Sequence, residues 1–159
     1  MIAVKIKNIK QFMNLLFNTD SFDSFTLEEA SIKTMACFNI DGLYEKDYFD
    51  DPGEENAPSF PDPYTPWRLI KPLCRDIIKG KHTPIFMKFV LHGDTGFMED
   101  PSFLGVKALI LMIRFESTGL SITTGTSMKE FILGSDTDRI WDEEVRRLLT
   151  SLNVEYEEL

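Results

Sequence analysis

"WRLIKPLCRDIIKG", residues 67–80, spaces Ile70, Leu73, Cys74, Ile77 and Ile78 at i, i+3, i+4, i+7 and i+8. That spacing is one face of an α-helix, and Gly80 suits its C-terminal stop. Pro72 has no backbone donor and belongs in a first turn, so the pattern predicts a helix over 72–79 with 67–70 as a lead-in turn. "NIKQFMNLLFN", residues 8–18, carries the same pattern 61 positions earlier in Ile9, Phe12, Met13, Leu16 and Phe17, with Asn8 as N-cap. Any two amphipathic helices can be aligned on their apolar stripes. The polar faces match as well: Lys7 falls on Arg68, Lys10 on Lys71, and Asn14 and Asn18 on Arg75 and Lys79. Two similar helix units in one chain are the first expectation.

Strand patterns surround both helices. "MIAVKI" (1–6) alternates apolar residues, and "SFTLEEASI" (24–32) does so with a break at Glu28-Glu29 that predicts a bulge. "TMACFNI" (34–40) sets Ala36, Phe38 and Ile40 on one side and leads to an Asp41-Gly42 turn. "LYEKDYF" (43–49) reads as a further short strand. In "PIFMKFVLH" (84–92), Ile85, Met87, Phe89 and Leu91 share a face. "VKALILMIRF" (106–115), "LSITTG" (120–125) and "SMKEFIL" (127–133) read as a meander turning at 117–119 and 124–126. "SDTDRIWDEEVRRLLTSL" (135–152) is a last helix, with Ser135 and Asp138 at capping-box spacing and Trp141, Val145, Leu148, Leu149 and Leu152 as its stripe. The tail "EYEEL" (155–159) reads as a frayed end.

The stretch 50–66 holds five prolines and five acids and reads as a loop within the domain. The expected fold is therefore α+β: one domain over 1–159, with duplicated strand-helix-strands units and antiparallel sheets. Two paired helices lie on one face, and an extra C-terminal helix follows. "VKALILMIRF" is apolar on both faces for six positions. It is either a central covered strand or an edge that pairs with a second copy to build a homo-oligomer.

A chain of 159 residues with 43% apolar, 12% aromatic and 27% charged residues has the composition of a globular domain. The start is broken by Lys5, Lys7 and Lys10 and lacks a secretory core, and the longest apolar run, 108–113, is too short to span a bilayer. Cys37 and Cys74 both sit in apolar patterns without CxxC spacing and read as buried, reduced thiols. These features predict a cytoplasmic protein with no membrane partner.

The net charge is -9, unevenly spread. Residues 1–18 carry three bases and no acid (+3), 19–60 carry -9, 61–90 carry +4 and 91–159 carry -7. The positive blocks coincide with the first two helices. Lys7, Lys10, Arg68, Lys71, Arg75 and Lys79, together with Asn14 and Asn18, form polar helix faces nearly free of acids. Two explanations stay open: a solubilising face partly paired with the acids at 50–55, or contact with the phosphate backbone of double-stranded DNA without base reading. No aromatic interleaves this face, so stacking on single strands is not expected.

Catalysis finds few candidates. His82 and His92 bracket one strand without HxxxH or HxH spacing and read as surface or strand-end residues. "KGKHTP" lacks the phosphate-loop pattern and ends a helix where such a loop would start one. "HGDTG" is turn chemistry. Asp136 and Asp138 are helix N-terminal acids. A non-enzymatic binding module follows, with no catalytic residues, no metal site and no cofactor; a protein-interaction or self-assembly module without a nucleic-acid role is the alternative.

In element order and charge, residues 1–133 resemble the domains of DNA sliding clamps, whose basic helices face DNA while antiparallel sheets lie outside. That resemblance implies that Lys7, Lys10, Arg68, Lys71, Arg75 and Lys79 line a DNA-facing surface. The chain departs from the clamps in having one such domain, an extra C-terminal helix and a long acidic loop before its second unit. Along its whole length, through "W..IKPLC..IKGK.TP" and the "MIAVKI" start, the chain also resembles an uncharacterised clostridial family, a domain of unknown function. This implies a cytoplasmic bacterial protein and supplies no activity.

Overall fold

Alternation decides which side of each strand meets the core. In Phe86–His92, Met87, Phe89 and Leu91 are buried on one face, and the partner strands set Ala30, Ile32, Leu111 and Ile113 beside them. The computed structural model, which describes residues 1–49, 63–94, 96, 100–130 and 136–159, builds a sheet on this pattern. The elements run β1 (Ala3–Ile6), α1 (Ile9–Asn18), β2 (Thr26–Lys33), β3 (Cys37–Asp41), β4 (Thr65–Pro66), α2 (Trp67–Ile78), β5 (Phe86–His92), β6 (Val106–Glu116), β7 (Gly119–Met128), α3 (Thr137–Ser151) and β8 (Tyr156–Glu158). Among the described residues, eight strands join one antiparallel sheet in the order β3-β2-β5-β6-β7-β1-β8, with β4 beside β2. This is an α+β fold.

The helices share one face of the sheet. Phe17 of α1 and Trp67 of α2 both set their rings edge-on to Phe89 of β5, with centroids 5.7 and 5.6 Å away. Trp141 of α3 packs over Gly93 and Leu109, where a Cβ on Gly93 would come within 2.8 Å of the indole. Asp142 of α3 accepts a hydrogen bond from Thr124 of β7 on the same face, and the amino group of Met1 bonds its other carboxylate oxygen at 2.9 Å. Burial of large side chains such as these contributes roughly 1.5–3 kcal/mol each, and the core draws on every helix.

The repeat at 61 positions reappears in the elements. Moving the bounds of β1, α1 and β2 by 61 gives 64–67, 70–79 and 87–94, against Thr65–Pro66, Trp67–Ile78 and Phe86–His92 for β4, α2 and β5. Helices α1 and α2 lie side by side on one face, and β2 and β5 pair at the seam. The bulge also falls where the acids break the alternation, between Leu27 and Glu29. Strand β6 is central, bonded to β5 on one side and β7 on the other, so it is not an oligomer edge.

Several expectations are corrected. Helix α2 begins at Trp67, so Pro72 lies inside it and on its exposed side. There it withholds only the donor for the Arg68 carbonyl, at a surface position. Leu73 is 59% exposed and leaves the predicted stripe. Gly42 continues the pairing of β3, donating to the Glu28 carbonyl at 2.8 Å; a Cβ there would meet the Leu27 carbonyl oxygen at 1.7 Å. Close backbone approach, not a turn, requires that glycine.

Residues 46–49 form a 3₁₀ turn, and β7 runs unbroken through Gly125 where a turn was expected. The tail is not frayed, because Tyr156–Glu158 pairs with β1. Strand β5 starts at Phe86 and leaves Ile85 71% exposed. Cys74 is buried as expected, but Cys37 lies exposed on β3. The N-cap of α3 is Asp136, without a side-chain bond. The proposed cap Ser135 and most of the acidic loop, 50–62, lie outside the described residues.

Candidate functional site: a basic groove between α1 and α2

Helices α1 and α2 are fixed to each other by polar bonds at their edges. The indole Nε1 of Trp67, in the first turn of α2, donates to the Leu16 carbonyl near the end of α1 at 3.0 Å. One turn on, Lys71 Nζ reaches the Thr19 carbonyl at 2.8 Å and Asp23 Oδ1 at 2.5 Å. Another turn on, Arg75 Nη1 donates to Asn18 Oδ1 at 3.2 Å, and Asn18 Nδ2 donates to Asn14 Oδ1 at 3.0 Å. The end of α1 thus meets α2 from its first turn to its last.

Beyond these contacts the pair opens into a groove of about 290 Å³. Its sides carry Lys10, Asn14 and Asn18 from α1 and Arg75 and Lys79 from α2, and Met13, Phe17 and Ile78 form its apolar floor. Capping accounts for part of this geometry. Asn8 accepts from the Gln11 amide at 3.0 Å and starts α1 one residue later, which leaves Lys10, Asn14 and Asn18 on its outer side. In α2, Arg75 and Lys79 are one helical turn apart.

The six bases expected on this face have different fates. Lys10, Arg75 and Lys79 come together in the groove. Lys7 and Arg68 are exposed but do not line it; each lies at the N-terminal end of its own helix, away from the residues that form the groove. Lys71 is held in an ion pair, with its side chain only 16% exposed. The acid that claims it, Asp23, sits on the α1–β2 connection, and its role was not read from the sequence. Lys79 also pairs with Asp76 at 3.3 Å, on an exposed helix surface where such pairs contribute little.

A second polar surface has the opposite sign. Glu29, Ser31, Asn39 and Asp41 project from β2 and β3 on the sheet face away from the helices, and with Glu28 and Tyr64 they line a groove of about 440 Å³. Beside it His92 is buried at its strand end, with Nε2 3.0 Å from Glu28 Oε2 and the Tyr64 ring edge-on at 4.8 Å. His82 is exposed. Among the described residues no group of three or more His, Cys, Asp or Glu side chains is placed to hold a metal ion, and no helix is long and apolar enough to cross a membrane.

A protein-family profile described as a family of unknown function (DUF5721) matches residues 14–157. No curated protein and no solved structure matches the chain. The chain belongs to that family.

Proposed function

We propose, for a member of a family with no assigned activity, a non-enzymatic binding module that holds the phosphate backbone of double-stranded DNA on its α1–α2 face. The convergence of Lys10, Arg75 and Lys79 on one groove, in a chain of net charge -9, carries this reading. Lys7 and Arg68 extend the positive surface along the two helices, and Asn14 is a neutral hydrogen-bonding group beside them. Lys71 is committed to Asp23 and stays out of the contact set. Such a face neutralises phosphates without touching base edges, so binding is independent of sequence and falls steeply with salt.

Titration of a short duplex at several salt concentrations tests the reading. The expected slope of log K against log salt is about -0.9 for each phosphate neutralised. The double variant Arg75→Glu/Lys79→Glu should abolish binding without unfolding the protein, since both side chains are exposed. The matching change at Arg146 and Arg147 should leave binding intact, because Glu143, Glu144 and Glu158 already pair with those bases. Absence of any binding by the parent protein at low salt would sink the DNA reading.

The exposed Leu69 and Leu73 on α2, 39% and 59% accessible, favour a second reading: a protein-interaction module without a nucleic-acid role. Self-assembly in this reading would use the outer edge of β3 or β8, since β6 is central.

A further inference from the structure

We propose that a cleft between the α1–β2 connection and α3 is a binding site for a small, uncharged, mostly aromatic molecule with one hydroxyl or carbonyl group. The cleft encloses about 290 Å³ on the side of α3 that carries Trp141 and Val145. Phe25, Trp141, Val145 and Leu148 supply an apolar interior, and Ser21, Ser24 and Ser151 stand around it. Apolar walls with a few polar groups are the usual construction of a small-molecule site, and this volume lies at the small end, admitting about a dozen non-hydrogen atoms.

The two aromatic walls are fixed before any ligand arrives. Trp141 Nε1 donates to the Ile110 carbonyl at 2.9 Å, and its ring packs against Gly93. Phe25 packs on Phe22 with ring centroids 5.6 Å apart, and its carbonyl accepts from the Trp67 amide at 2.9 Å. A ligand therefore orders little of the protein on entering, which limits the entropic cost of binding.

Charge selects the ligand. The two charged residues lining the cleft, Glu144 and Arg147, are bonded to each other and cancel. A charged ligand would lose hydration without gaining a free counter-charge, whereas a hydroxyl or carbonyl can exchange water for serine.

The test uses 2-naphthol as the neutral probe and 2-naphthoate as its anionic analogue, followed by backbone amide chemical shifts. Saturable binding of 2-naphthol is expected at a Kd of about 0.1–1 mM, fitting a ligand of this size. The shifts should centre on Ser21, Ser24, Val145 and Ser151, with naphthoate at least about tenfold weaker because its charge stays unpaired. Ser24→Trp, at an exposed position, should weaken binding by a similar factor while the melting temperature is unchanged. No saturable shift up to the solubility limit of 2-naphthol overturns the proposal. So does equal or tighter binding of naphthoate, or full retention of binding in Ser24→Trp.

Discussion

Cys74 and Cys37 look alike in the sequence and differ in the fold. Burial pushes the Cys74 thiol up to about 12 from its ordinary 9.0, and the bond it makes to backbone offsets only part of this. Cys37 is exposed on β3 beside Asn39. A thiol reagent at neutral pH should therefore label one cysteine per chain rapidly and the second only after denaturation; two fast equivalents in the native protein would contradict the burial. The sign for stability follows. The unfolded chain ionises this thiol near pH 9 and the folded one resists, so the Cys74 contribution is intact below pH 9 and is lost as pH rises toward 12. The alternation of "TMACFNI" does not distinguish these fates, because strand period says which face a residue takes and not whether anything covers that face.

For the elements, the reading of α2 shows where a sequence stops being informative. Its amphipathic character was legible, yet Pro72 moved the predicted start five residues downstream of Trp67. Once Trp67 joins the buried stripe, the stripe centre shifts, leaving Leu73 about 90° away on the wheel and Lys71 about 70° away on the other flank. Lys71 therefore borders the core and meets Asp23, while Leu73 faces water. No helical wheel contains Asp23, because it belongs to a connection whose path tertiary structure sets. Lys71→Glu would place two carboxylates together at this partly buried contact and should cost about 1–3 kcal/mol, between the ranges for exposed and buried pairs. Urea unfolding measures this loss, and a midpoint equal to that of Arg75→Glu/Lys79→Glu would show the contact to be energetically idle. The bulge at Glu28-Glu29 was legible, since it depends on local pattern. The choice between a central strand and an edge for β6 stayed open until its pairing with β5 and β7 decided it. Tyr156–Glu158 was not legible, because β1 provides the pairing that orders those acids.

At the scale of the molecule, among the described residues one sheet carries three helices on one face, a basic groove among them and an acidic groove behind. The repeat at 61 positions accounts for the first two helices and the strands flanking them. Stability should be graded across this sheet. Amides of Phe89, Leu91, Leu111 and Ile113, in central strands with buried side chains, should exchange with solvent most slowly. Those of β3 and β8, each bonded to one neighbour in the strand order, should exchange fastest among strand amides. Hydrogen exchange read by mass spectrometry or NMR tests this; uniform rates across the strands would contradict it.

The place of β1 has a consequence for biosynthesis. This strand precedes every other one in the chain, yet it lies between β7 and β8, with Ala3 opposite Thr123 and Lys5 opposite Glu157. A ribosome adding about 5–20 residues per second needs roughly 6–24 s to progress from one partner position to the other. Throughout that interval Val4 and Ile6 have no neighbouring strand to cover them. Strand β1 can take its place in the sheet only after β7 has left the exit tunnel. A nascent chain stalled before Gly119 holds an unpaired apolar strand, the kind of exposed surface that makes partly folded chains prone to aggregation.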